Sequence, residues 1–250
     1  MQAPPVVSVI PLEGLPELEE SDDLGVLLHA AAERAGGLED GDVVVVAQKA
    51  VSKVEGRVVR LEDIEPSDRA RELAGADGDP RQLEVILRES AEVVRSRPPL
   101  VITETRHGFV CASAGVDASN APGENMLVLL PVDPDASARL LRARLGELAR
   151  VEVGVIVSDS FGRAWRQGTT DIALGVAGVA PLRDLRGTAD ARGHELRTTQ
   201  IAVADELAGA AELVMGKARH VPAAIVRGVD VRGEGSAAEL VMPRERDLFR

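Results

Sequence analysis

Two carboxylates follow apolar runs in this chain, and its chemistry is sought there first. Asp159 comes after Val153-Gly154-Val155-Ile156-Val157, a short, largely β-branched run that reads as a strand buried on both faces. Behind it come Gly162, Arg163, Trp165, Arg166, Gly168, Thr169, Thr170 and Asp171. A loop at the exit of a central strand is where α/β proteins commonly place ligand chemistry. This one would offer a carboxylate, two guanidiniums, hydroxyls and the chain's single Trp, which suits a metal and an anion beside an aromatic wall. A solvated loop whose Asp and Arg pair with each other would have the same composition. Asp117 lies in a second stretch of small, polar residues, 114–123, also after apolar runs. Two carboxylates from separate strands are what an oxygen-liganded Mg²⁺ or Mn²⁺ uses beside substrate phosphates, though two unrelated loop caps would look alike. Lys49, Lys53, Arg163, Arg166 and Lys217 supply positive charge for phosphate or carboxylate. A dispersed set of this kind suits metal-assisted phosphoryl transfer, in which positioning and charge neutralisation do most of the work.

The elements that must position these residues alternate between strand and helix, so the chain reads as mixed α/β. Strands are expected at 6–10, 43–46, 100–103, 109–112, 127–130, 153–157 and 222–226, with a further apolar, Gly-interrupted strand at 172–179 and an extended piece at 55–62. Helices are expected at 24–35, capped from Ser21-Asp22-Asp23, and at 67–74, 80–95, 134–150 and 199–212. Residues 184–196 read as a hairpin or loop excursion, and the polar tail as liable to fray. Residues 158–171 are expected as loop. His29 reads as a surface residue, Cys111 as core, and His194 as a turn residue with a weak functional claim.

Composition narrows the function classes. The net charge is −12 over 250 residues and only 2% of residues are aromatic, with no Tyr. That excludes general affinity for nucleic acid or an anionic membrane, and removes the stacking platforms of single-strand binders. An anionic small substrate would need a local basic pocket or a bridging cation. One Cys and four His leave no zinc ligand cluster. No apolar run reaches membrane-span length and no signal peptide is seen, so a cytoplasmic setting is expected. No phosphate-loop, dinucleotide, nucleophile-elbow or HExxH signature occurs.

The segments VSVIPLEGLPE, GDVVVVAQKAVSKVEGR, ETRHGFVCASAGVDASN, GVIVSDSFGRAWRQGTTDIALGVAGV, VADELAGAAELVMGKA and VPAAIVRG, in that order, resemble one family. It is the coenzyme F420-0:L-glutamate ligases, or F420:γ-glutamyl ligases, and the resemblance spans about residues 6–236. GVDASN and VSDSFGR are its most specific motifs. The resemblance implies an unusual α/β fold with two intimately joined subdomains, forming an intertwined homodimer. It sets the ligase domain at 1–236 and a polar tail at 237–250, with no room for the C-terminal flavin-binding domain found in some relatives. The implied activity is GTP-dependent addition of L-glutamate to F420-0, then of γ-linked glutamate to F420-1, through an acyl phosphate with release of GDP and phosphate. By motif, Asp117, Asp159 and Ser160 are the implied ligands of Mg²⁺ or Mn²⁺, with K⁺ a further candidate cofactor. The implied nucleotide contacts are Gly14, Leu15, Pro16, Glu17, Gln48, Lys49, Lys53, Asn120 and the loop Met215, Gly216, Lys217, Ala218, Arg219, His220 and Val221. Some relatives carry an acidic metal ligand where this chain has Lys217, which leaves a third ligand open. Arg163 and Arg166 are our extension of the set, as catalytic groups for phosphate or substrate carboxylate. Two rival readings remain at this point: another metal-dependent, nucleotide-using carboxylate ligase or kinase, and a non-catalytic GTP-binding protein.

Overall fold

The computed structural model describes residues 6–249; Met1–Pro5 and Arg250, the outer ends of the expected domain and tail, lie outside them. The first half of the described chain runs β1 (Ser8–Pro11), α1 (Leu24–Arg34), β2 (Val43–Ala47), α2 (Gln48–Val54), β3 (Val58–Arg60), α3 (Asp68–Ala74), α4 (Pro80–Glu89), β4 (Ser90–Arg97), β5 (Leu100–Thr105), β6 (Val110–Ala112) and β7 (Met126–Val128). The second half runs α5 (Pro134–Ala149), β8 (Gly154–Arg163), β9 (Arg166–Ala177), β10 (Arg183–Asp184), β11 (Gln200–Ile201), α6 (Val203–Met215) and β12 (Ala223–Arg227). The result is a mixed α/β fold.

Its centre is a five-stranded sheet in the order β1-β12-β2-β8-β9, in which β2 and β8 run parallel and the other neighbours antiparallel. Successive side chains of a strand point to opposite faces, and here both faces are apolar. Val44, Val46, Val155, Val157 and Ile225 pack on one side with residues of α1 and α5. Val43, Val45, Ile156, Ala224 and Val226 pack on the other with residues of α6. This is why the short valine runs carry no polar alternation. A third core joins α3 and α4 to Val101, Leu127 and Leu129. A fourth, Phe109, Cys111, Leu130, Phe161, Leu174 and Ala237, ties β8 and β9 to β6 and to the tail.

Helices α1, α3 and α5 begin within one residue of where the sequence indicates, whereas α2 was not expected as a helix. Asp23 accepts from the Val26 amide (3.0 Å), Ser67 from Ala70 (3.2 Å), and Asp133 from Ala136 (2.8 Å) ahead of Pro134, filling donors that a first turn leaves open.

Four expectations are corrected. The helix expected over 80–95 stops at Glu89, where the Ser90 hydroxyl donates to the Ile86 carbonyl (2.6 Å) and the chain turns extended. Val93 and Val94 then belong to β4, which pairs with β5 across Pro98-Pro99; β-branched side chains suit a ladder better than a helix interior. The helix expected from residue 199 starts at Val203, because Gln200 and Ile201 pair with Asp184 and Arg183. The loop expected at 158–171 is instead a long hairpin, with Ser160 opposite Asp171 and Arg163 opposite Arg166. The tail is not frayed over 236–244: Ser236 caps a short 3₁₀ turn at Ala237–Leu240, Ala237 is buried, and Arg244 pairs with Glu92 at 2.7 Å.

Candidate active site

The parallel pair β2 and β8 end side by side, Ala47 opposite Ser158, and the largest concentration of chemistry lies at those carboxyl ends, the usual ligand position in parallel sheets. A cavity of about 570 Å³ opens there. Its wall takes Gln48, Lys49 and Lys53 from α2, Ser158, Asp159 and Ser160 from β8, and Asp171 from β9. Glu212 and Met215 come from α6, and Gly216, Lys217, His220 and Val221 from the turn after it. Leu15, Pro16 and Glu17 close one side and Asn120 another.

Lys49 and Lys53 are four residues apart on α2 and so share a face. Each already holds a carboxylate. Lys53 is paired with Glu17. Lys49 Nζ lies 2.6 Å from Asp117 Oδ2 and 2.6 Å from Ser119 Oγ. Asp117 stands one contact behind the wall. Its backbone is fixed by a two-way bridge to Val128, and its Oδ1 accepts from the Ser119 amide at 2.7 Å. Burial pushes the Asp117 carboxyl up, but Lys49 and Ser119 together outweigh it and hold the group below its usual value.

Asp159 is the opposite case. It is half-buried on the cavity wall and makes no ion pair among the described residues. Its carboxyl is pushed up to about 7, first by burial and further by the charges of Asp171 and Asp117, while the Ser160 amide and Lys49 pull the other way. Asp171 is 4% exposed and accepts from Ser158 Oγ (3.0 Å) and Ser160 Oγ (2.7 Å). Glu212 is also raised, by burial and then by Asp171. Among the described residues no group of three or more His, Cys, Asp or Glu is gathered in metal-ligating geometry. An oxygen-rich wall carrying a raised carboxylate without an ion pair nevertheless suits a hard divalent cation, because added positive charge would relieve the carboxylate.

Gln48 is 1% exposed; its Oε1 accepts from Ser52 Oγ at 2.8 Å and its Nε2 has no partner among the described residues. A buried, unspent donor on a cavity wall is costly unless a ligand acceptor meets it. Asn120, at φ 57°, donates from Nδ2 to the Lys217 carbonyl at 3.4 Å and joins two loops of the rim.

The structure thus brings most of the expected residues together: Leu15, Pro16, Glu17, Gln48, Lys49, Lys53, Asn120, Asp159, Ser160, Met215, Gly216, Lys217, His220 and Val221 on one wall, with Asp117 behind it. Gly14, Ala218 and Arg219 are not on that wall. Arg163 and Arg166 stand at the exposed hairpin tip, about 13 Å along the strand from Asp159 at ~3.3 Å per residue. Asp171 and Glu212 were missed as site residues. Asp171 could have been found from a hairpin register, but Ala164-Trp165 carries none of the Asn-Gly or Asp-Gly signal that marks a two-residue turn. Glu212 lies on a helix that also carries Asp205 and Glu206, and nothing in its sequence singles Glu212 out.

The described residues include no helix long and apolar enough to cross a membrane. A family model described as F420-0:Gamma-glutamyl ligase matches residues 14–228. Three relatives are similar over nearly their whole length, each described as a coenzyme F420:L-glutamate ligase. The protein from Methanothermobacter thermautotrophicus is 45% identical over 98% of this chain and 99% of its own. That from Methanopyrus kandleri is 47% identical over 98% and 97%, and that from Archaeoglobus fulgidus 44% identical over 98% and 96%.

Proposed function

The chain belongs to the F420-0:gamma-glutamyl ligase family and is a ligase, and from that premise we propose that it joins L-glutamate to coenzyme F420-0 at the expense of GTP. The observation that supports this most directly is the cavity at the ends of β2 and β8, where Lys49, Lys53 and Lys217 face Asp159, Ser160 and Asn120. Acceptor and nucleotide are both anionic and the chain carries −12, so binding must rest on local positive charge or a bridging cation; three lysines are gathered here, and the carboxylates Glu17, Asp159, Asp171 and Glu212 of the same lining suit the cation.

A carboxylate is a poor electrophile. In the proposed reaction a carboxylate oxygen of F420-0 attacks the γ-phosphorus of GTP, the bond to the β-phosphate oxygen breaks, and GDP leaves. The glutamate amine then attacks the acyl phosphate carbon, loses a proton and expels inorganic phosphate. Lys49 and Lys53 hold phosphate oxygens in line and offset the charge that shifts between them. Gln48 Nε2 donates to an acceptor on the bound nucleotide. Glu17, Asn120 and the turn 215–221 frame the nucleotide. Asp117, Asp159 and Ser160 would hold Mg²⁺ or Mn²⁺, which would supply charge neutralisation at the phosphoryl oxygens. K⁺ is a further candidate cofactor.

The same reading extends to γ-linked addition of a second glutamate to F420-1, to a cytoplasmic site of action, and to an intertwined homodimer of two-subdomain protomers. In such a dimer the hairpin tips, with Arg163 and Arg166, would be free to reach a neighbouring copy's cavity. Light scattering on the eluting protein should give twice the chain mass; a single chain mass removes the dimer.

Mass spectrometry of F420-0 incubated with the protein, L-glutamate, GTP and Mg²⁺ or Mn²⁺ tests the activity. The expected product is heavier by one or more glutamyl units and depends on GTP and cation. GTP hydrolysis with F420-0 unchanged would point to another acceptor, and no turnover with any cation would overturn the proposal.

A further inference from the structure

The proposed cation site and the proposed phosphate site share one group. Lys49 Nζ sits on Asp117 Oδ2 and on Ser119 Oγ, both at 2.6 Å, while Ser119 Oγ itself donates to Asp117 Oδ2 at 2.8 Å. The ammonium therefore occupies the position at the carboxylate that a cation would take. The same Lys49 lines the cavity. Two of its three donors are already spent on Asp117 and Ser119, so while it holds that pair it has at most one left for a ligand's phosphate. Lys53 and Glu17 form a second lysine–carboxylate pair at the same cavity, but Glu17 is not a proposed cation ligand.

We propose that Lys49 is an exchangeable internal counter-ion: it holds Asp117 while the divalent site is empty and is released toward the nucleotide phosphates when a cation takes Asp117. This rests on the nucleotide and cation reading above. It makes binding of the two ligands cooperative through one side chain. Only molecules with Asp117 free accept the cation, so its apparent affinity falls by the fraction in which Lys49 has let go. By linkage, the cation raises nucleotide affinity by the same factor through Lys49 as nucleotide raises cation affinity.

The test is Mn²⁺ binding followed by electron paramagnetic resonance at 0.15 M salt, with and without GTP, on wild type, Lys49→Met and Lys53→Met. In Lys49→Met without nucleotide, Mn²⁺ should bind about fivefold tighter, as for removal of a competing ion pair worth about 1 kcal/mol. With Mn²⁺ present, the same variant should bind GTP more weakly. Lys53→Met should weaken GTP but leave Mn²⁺ affinity without nucleotide within twofold of wild type, which separates exchange at Asp117 from a general loss of nearby positive charge. Thermal melting confirms that each variant is folded, and both substitutions keep a long side chain on an intact helix. Unchanged or weaker Mn²⁺ binding in Lys49→Met overturns the exchange while leaving the cation site standing. Equal tightening in both variants overturns it as well. No Mn²⁺ binding to wild type with or without GTP removes the cation site and the exchange together.

Discussion

At the residue scale, Asp159 and Cys111 are both displaced upward by burial, with different consequences. Asp159 keeps a proton in the folded, cation-free chain up to about pH 7, whereas the unfolded chain releases it near 3.8. Between those values the folded state binds more protons, so the group's contribution to stability falls as pH rises through about 4 to 7 and is lowest above 7. In EDTA, melting temperatures measured across that window should fall less steeply for Asp159→Asn than for wild type. The variant should also be at least as stable at pH 7.5, yet lose GTP-dependent glutamylation by a hundredfold or more. An active, folded Asp159→Asn enzyme would remove the residue from the site. Cys111 is buried among Phe109, Leu130 and Phe161, and burial first, then the charge of Asp159, push its thiol up to about 12. It should react with a disulfide reagent at neutral pH only after denaturant is added; rapid reaction of the native protein would contradict its placement. The residues at this scale were unevenly legible. The GVDASN and VSDS carboxylates stood out because their motifs are contiguous, whereas Asp171 and Glu212 reach the same wall from β9 and α6 and are neighbours only in the folded chain.

At the element scale, the β8–β9 hairpin does what a loop was expected to do. It places Ser158 and Ser160 against Asp171 through pairing across two strands, with a register shift between Val157 and Ser158. A bulge of that kind re-aims side chains. The hairpin is anchored where β9 crosses the start of α5. Asp135 accepts from the Val176 amide at 2.7 Å and from the Ser236 hydroxyl at 2.6 Å. Gly175 passes so close that a Cβ there would lie 2.2 Å from the Pro134 carbonyl oxygen. Backbone cannot give way cheaply, so Gly175→Ala should cost about 2–3 kcal/mol in chemical denaturation. A neutral result would mean that α5 is free to move away from the strand. At the tip, Trp165 adopts φ 56° and is 83% exposed. A left-handed Trp is uncommon, and it is the reason the turn escapes recognition in the sequence.

At the scale of the whole molecule, the tail closes the structure that the hairpin opens. Ala237 completes the core around Phe109, Phe161 and Leu174, Ser236 bonds Asp135, and Arg244 reaches Glu92 on β4. Deleting residues 236–250 should therefore lower the melting temperature by about 3–6 °C, as for loss of roughly 1–2 kcal/mol from a domain of this size. An unchanged midpoint by calorimetry would show the tail to be dispensable. The strongly negative chain gathers Lys49, Lys53 and Lys217 at one cavity, beside the carboxylates Glu17, Asp159, Asp171 and Glu212, so an anionic substrate would be held there by individual lysine contacts and a bridging cation rather than by a net positive field.

The sequence by itself determined the elements whose signals are local. The valine runs of β2 and β8 are apolar on both faces because both faces are covered, and α1, α3, α4 and α5 start at capping residues that act within one turn. It also carried the family, because the motifs are contiguous and occur in order. Tertiary structure decided the rest. Whether residues 158–171 were loop or hairpin depended on β9 finding β8, and whether 90–95 were helix or strand depended on β5 being available to pair. The pairing of Lys49 with Asp117 joins residues 68 positions apart. Strand pairing, carboxylate crowding and ion-pair exchange are properties of distance in space, and a linear pattern records them only where the chain happens to bring its neighbours along.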